Sequence, residues 1–244
     1  MTDDGKRRWK RPSKPPGNTS GRRVNARKVT AHNAQSESSK KWIERQLADP
    51  YVQKARDAGY RARAAFKLLE IHEKTGLLKK GQRVVDLGCA PGGWLQVLQL
   101  RGLSEIVGID LLPVDPLAGV HIIEGDVNDP EAVAQMLTGL SGPPNLVLSD
   151  MAANTTGHRQ TDHLRTVALV EIAVEFALTH LEPGGAFCSK VFQGGATSGV
   201  LNTLKHNFKT VKHIKPPSSR SGSPEIFVVA TGFSPQPNQT QPNP

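Results

Sequence analysis

Along the chain, the spacing of apolar residues changes at about residue 82. Before it, apolar positions recur every three to four residues, which predicts helices from Lys40 to Ala55 and from Ala62 to Lys74, the second closed by Gly76. Beyond it, short continuous apolar runs alternate with helical stretches. RVVDLG (83–88), EIVGID (105–110), VHIIEGD (120–126), NLVLSD (145–150) and GAFCSKVF (185–192) predict strands. Helices are predicted at 92–101, at 130–138, from Asp162 to Leu181 and at 199–208. TVKHIK and EIFVVATG, separated only by PPSSRSGSP, predict an antiparallel hairpin at the end. Apolar strands alternating with helices predict an α/β fold: a doubly wound, mostly parallel sheet of seven strands, helices on both faces.

Residues 1–38 are rich in Lys, Arg, Pro, Gly, Asn and Ser and lack periodic apolar positions, so a disordered basic tail is expected there. The segment 234–244 reads the same way. Between them a single domain spans 39–233, with helices in 39–80 and the sheet in 81–233. No run approaches 18 apolar residues, and MTDDGKRRWKRP lacks the apolar core of a signal peptide, so no membrane association is expected. Cys89 and Cys188 have no paired spacing and both sit in apolar contexts, which fits a reducing cytoplasm. The eight histidines show no ligand grouping, so no metal is expected.

Charge is unevenly distributed. Residues 1–41 hold 12 Lys/Arg against 3 Asp/Glu, and 42–80 hold 9 against 5. The centre, 81–182, holds 4 against 13, and 183–244 return to 6 against 1. Basic flanks around an acidic centre suggest a polyanion on one face. The acidic centre contains its own pattern. VVDLGCAPGGW (84–94) is a strand entering a glycine turn and a helix, a geometry that lets a ligand approach backbone closely. A dinucleotide fingerprint would read GxGxxG, but Ala90 stands at the second glycine. Asp86, Asp110 and Asp126 close or nearly close three successive strands. Three acids in that register suit a cationic sulfonium nucleoside, S-adenosylmethionine, better than a pyrophosphate. Lys190 is a separate oddity, a cation inside an apolar strand that needs a partner.

The motifs DLGCAPGGW, GIDLLPVDP, EGDV, LSDMAAN, KVFQG and PPSSRSGSPEIFVVATG, in order from about Lys41 to Phe233, resemble the FtsJ/RlmE family of ribosomal RNA 2′-O-methyltransferases. The resemblance implies a Rossmann-like methyltransferase fold, S-adenosylmethionine as cofactor and methylation of a uridine ribose in 23S RNA of the 50S subunit by a monomer. It also implies a Lys-Asp-Lys-Glu tetrad at Lys67, Asp150, Lys190 and Glu225, with Lys190 as general base. Cofactor contacts are implied at Gly92, Trp94, Asp110, Asp126 and Asp150, beside Asp86, Gly88 and Gly93 of the same turn. Ala153 departs from the proline of the family's SDMAPN, and the basic N-terminal extension is longer than is usual.

The tetrad also makes chemical sense. A ribose hydroxyl needs one proton removed and its oxygen aligned with a methyl group, while the departing thioether is neutral and needs no acid. A positioned base contributes about 10²–10⁴-fold. Lysine serves as a base only when desolvated or beside another cation. For RNA phosphates, the candidates are Arg61, Arg63 and Lys67 on the early helix and Lys215 and Arg220 near the hairpin. Tyr60 and Phe66 are candidates for base stacking. Two alternatives stay open: methylation of another RNA such as tRNA, and an RNA-binding ribosome-assembly factor of the same fold. A nucleotide-dependent oxidoreductase would leave Lys190 unexplained.

Overall fold

The computed structural model describes residues 49–153, 156–192, 198–220 and 222–235. The tail expected over 1–38 lies outside them, as does all but the first two residues of 234–244. Helix α1 (Pro50–Asp57) begins at a proline in the first helical turn, with Asp49 as its N-cap accepting from Tyr51 N–H. The helix expected from Lys40 to Ala55 is thus interrupted at Asp49, and its residues 40–48 lie outside the described ones. Asp49 is extended at φ −82°, ψ 111°, and the residue before a proline is pushed out of the helical region. Helix α2 (Ala64–Thr75) buries Ala65, Leu68 and Ile71 and ends at Gly76, whose φ of +65° permits a left-handed stop.

The remainder alternates as expected: β1 (Arg83–Leu87), α3 (Gly93–Leu100), β2 (Glu105–Asp110), β3 (Val120–Glu124), α4 (Pro130–Leu137), β4 (Leu146–Ser149), α5 (Arg159–His180), β5 (Ala186–Phe192), α6 (Ser198–Asn207), β6 (Phe208–Ile214) and β7 (Glu225–Phe233). Helix α5 starts three residues before the expected Asp162, because His158 caps it through Thr161 N–H. Asp162 instead sits in the first turn and accepts from Thr156 and Gly157 N–H.

The seven strands run in the order β3-β2-β1-β4-β5-β7-β6. The first five are parallel, and β7 joins β5 and β6 antiparallel. One face of the sheet packs under α4, α5 and α6, around Met136, Val170 and Leu204. The other packs under α2 and α3, around Leu68, Leu95, Leu98 and Phe227. Edge strand β6 buries only Phe208 and Ile214 and turns Lys209 and Lys212 outward, a common guard against edge pairing. The order reverses between β1 and β4, whose chains leave in opposite directions. A crevice therefore opens at the carboxyl ends of these strands.

Candidate active site

A cleft of about 320 Å³ occupies that crevice, lined by Gly88, Asp110, Leu112, Asp126, Asp150 and Met151 among others. Asp110 ties its rim together: Oδ2 accepts from Ala90 N–H at 2.8 Å and Oδ1 from Leu112 N–H at 2.9 Å. Asp126 accepts from the backbone and side-chain amides of Asn128, both at 2.9 Å. Gly88 has φ +76°, and a Cβ there would stand 2.6 Å from Met151 Cγ. The turn needs glycine so that Met151 can enter the cleft wall.

Asp86 lies deeper. It is 1% exposed, and neither carboxyl oxygen has a hydrogen-bond partner among the described residues. Burial, reinforced by the charges of Asp150 and Asp110, pushes its pKa well above the ordinary carboxylate range. An unpaired buried acid below a glycine turn, with two more acids on the cleft wall, is a donor set suited to a cation that also carries hydroxyl groups. S-adenosylmethionine has that chemistry.

At the cleft's far end, sheet register assembles four charged side chains. Ser149 pairs with Ser189, so the next residues of the two parallel strands, Asp150 and Lys190, lie side by side. Lys190 also pairs with Phe227 across β7, which leaves Glu225, two residues earlier, on the same face. Lys67 descends onto that face from α2. Lys190 Nζ donates to the Asp150 carbonyl at 2.8 Å and sits 3.1 Å from Asp150 Oδ1. Lys67 Nζ lies 3.6 Å from Asp150 Oδ2 and 2.8 Å from Glu225 Oε2. Asp150 thus bridges the two lysines, and all four side chains are at most 17% exposed. The lysine read as an oddity in β5 has its partner, and Ala153 does not prevent the four from meeting.

Other expected site residues make contacts within the protein. Gly92 has a φ of +99°, which favours glycine, with the tip of Arg61 2.7 Å from where a Cβ would stand, and a Cβ at Gly93 would lie 3.3 Å from Ala62. Trp94 is 3% exposed, donates from Nε1 to Ala64 O at 2.8 Å and packs against Phe227. None of the three is among the residues lining the 320 Å³ cleft. Arg61 donates to the carbonyls of Pro91, Asp115 and Pro116, tying together the two loops that rim the cofactor cleft. Arg63 and Arg220 both pair with Asp49, and Lys215 Nζ donates to Ser223 O at 2.8 Å. Tyr60 and Phe66 pack edge to face on each other, with Tyr51 on the far side of Phe66.

Sequence reasoning missed Asp49, Glu70, Ser218 and Ser219, which surround the tetrad. For Glu70 the sequence held a signal. Arg63, Lys67, Glu70 and Lys74 fall at spacings of four, three and four, a polar stripe opposite the apolar face of α2.

The fold and the cleft are those of a doubly wound methyltransferase, with an acid-lined pocket at the sheet's switch point and a charged lysine-carboxylate cluster at its edge. The profile of the FtsJ-like methyltransferase family matches residues 60–233. The "Ribosomal RNA large subunit methyltransferase E" of Hyphomonas neptunium is 69% identical over 233 residues, covering 96% of this chain and 99% of that protein. Its namesake in Caulobacter sp. is 56% identical over 222 residues, covering 90% and 98%. A crystal structure from Plasmodium falciparum, described as a candidate ribosomal RNA methyltransferase, superposes with a TM-score of 0.65 at 30% identity, covering 72% of this chain and all of that one. The chain belongs to the FtsJ-like methyltransferase family.

Proposed function

We propose that the protein methylates the ribose 2′-hydroxyl of a uridine in 23S ribosomal RNA, within the large subunit, using S-adenosylmethionine in the cytoplasm. The observation that carries this reading is the meeting of Lys67, Asp150, Lys190 and Glu225 beside a cleft with an unpaired buried acid. The relatives' names specify ribosomal RNA of the large subunit, which supports this reading, and buried free thiols at Cys89 and Cys188 suit a reducing compartment.

The cofactor would supply a methyl group on a sulfonium, held by Asp86, Asp110 and Asp126 and by the backbone around Gly88. Transfer of that methyl carbon to the ribose oxygen would break the carbon–sulfur bond and leave a neutral thioether, so the protein has one proton to move, from the hydroxyl to Lys190 Nζ as general base. Asp150 orients Lys190 through its carbonyl and carboxylate. Lys67, held by Glu225, sets the second cation near the oxygen. Most of the work is alignment and exclusion of water, because the leaving group needs no help.

Lys190→Ala should lower methyl transfer by at least about 10²-fold, with cofactor affinity by isothermal titration nearly unchanged. Wild-type-like transfer would remove Lys190 as the base. Mapping 2′-O-methyl groups in rRNA from cells with and without the protein tests the substrate: a missing methyl uridine in 23S RNA supports it, and an unchanged map rejects it.

A further inference from the structure

Outside the tetrad, one face of α2 is clasped to the loop between β6 and β7. Lys74 Nζ donates to Lys215 O at 3.2 Å, and Arg63 donates to Ser218 O. Glu70 Oε2 accepts both from Ser218 N–H at 2.8 Å and from Ser218 Oγ at 2.6 Å. Ser219 Oγ donates to Glu225 Oε1 at 2.9 Å. Both serines are buried, at 1% and 7% exposure, which is unusual for hydroxyls in a connecting loop.

The consequence is geometric. Glu225 opens β7 and has three rotatable bonds, so a single contact to Lys67 would leave its carboxylate free to turn. With Oε1 held by Ser219, only Oε2 faces Lys67, at 2.8 Å. Lys67 Nζ is thereby kept 3.6 Å from Asp150. Ser219 in turn has its place fixed through its neighbour Ser218, which Glu70 grips twice.

We propose that Ser219 and Glu70 are positioning residues of the methyl-transfer site, Glu70 fixing the Ser218–Ser219 turn and Ser219 fixing the Glu225 carboxylate against Lys67. The proposal rests on the reading of the tetrad as the catalytic group, and its test keeps the two apart.

The full-length protein is assayed for methyl transfer to undermethylated large subunits, with Lys190→Ala as reference. Ser219→Ala should lower kcat about tenfold, the scale of losing one hydrogen bond to a charged group. KM for the cofactor should change by less than about twofold, and the thermal midpoint by less than about 3 °C. Ser219→Thr, which keeps the hydroxyl, should restore kcat. Glu70→Ala should act in the same direction, while Glu70→Gln, which keeps an acceptor for Ser218, should retain most activity. If Lys190→Ala is inactive but Ser219→Ala and Glu70→Ala turn over like wild type, the positioning roles fall and the tetrad stands. If both alanine variants lose activity only in proportion to lost thermal stability, and neither Ser219→Thr nor Glu70→Gln retains kcat, the clasp is merely structural and the proposal fails. An active Lys190→Ala overturns the tetrad and this proposal with it.

Discussion

Asp86 is buried with neither carboxyl oxygen hydrogen-bonded among the described residues, and the sign of its titration follows from that burial. Its folded-state pKa lies above the ordinary carboxylate value of about 4, so the native protein holds a proton that the unfolded chain releases. The stabilisation is complete below about pH 4 and is lost as pH rises through the folded value. His72 and His180 tilt the curve the other way. Burial pushes their pKa values down, so their contribution is lost as pH falls through the unfolded value of about 6.5. The informative quantity is therefore the difference between wild type and Asp86→Asn. Thermal melts of the ligand-free proteins should show the asparagine variant gaining on wild type as pH rises above the ordinary carboxylate range; parallel curves would contradict the buried, unpaired acid. A cation beside Asp86 favours the ionised form, so cofactor binding should release a proton, visible by calorimetry in buffers of different ionisation enthalpy. At this scale the sequence made the tetrad and the three strand-end acids legible, because each recurs in a recognisable motif. It did not reveal which neighbour demands each glycine. Gly92 holds a φ of +99° and Gly93 lies close against Ala62, and backbone conformation and side-chain direction depend on tertiary neighbours no motif records.

Helix α2 and the loops it fastens are the next scale. Arg61, just ahead of α2, offers its guanidinium to three backbone carbonyls, two of them in the loop that follows Leu111 and Leu112 at the cleft rim. A forked donor filling that role differs from a phosphate contact in one testable way. Lysine can replace arginine at a phosphate but cannot span three carbonyls. Both Arg61→Ala and Arg61→Lys should therefore weaken cofactor binding about tenfold, with a smaller change in RNA affinity. Recovery of function in the lysine variant would return Arg61 to the RNA-binding group. Asp49 makes a similar case at α1. It caps that helix and holds both Arg63 and Arg220. Asp49→Ala should cost about 3 kcal/mol in chemical denaturation, from a lost cap and a partly buried guanidinium left without its acid. Asp49→Asn, which keeps the cap, should cost less than Asp49→Ala. Element types and order were legible throughout, since period and turn residues dictate them. The start of α1 was misread because apolar periodicity was allowed to run through Asp49-Pro50, where local chemistry interrupts it. The clasp itself escaped notice because its loop half, Ser218 and Ser219, carries no signal until the strands bring it under α2.

For the whole molecule, the division of charge along the chain becomes a division in space. The acidic centre supplies Asp110, Asp126 and Asp150 to the crevice and buries Asp86, while Lys67, Lys190, Lys215 and Arg220 come from the basic flanks. That polarity was legible from composition, but the number of cations left for RNA was not. Arg61, Arg63, Lys215 and Arg220 all have intramolecular partners, which leaves them less able to dominate phosphate binding. The largest reservoir of positive charge is then the N-terminal segment, where residues 1–38 hold 10 Lys/Arg against 3 Asp/Glu. Each phosphate neutralised contributes about 0.7–0.9 to the slope of log affinity against log salt. Deleting residues 1–38 should reduce the magnitude of that slope for 23S RNA by at least about 2 and weaken binding most at low salt. At saturating RNA the truncated protein should turn over at nearly the wild-type rate, because the proposed catalytic side chains all lie between residues 67 and 225. An unchanged slope, measured by filter binding across a salt series, would assign the phosphate contacts to the domain itself and require Arg63, Lys215 or Arg220 to exchange their internal partners for RNA.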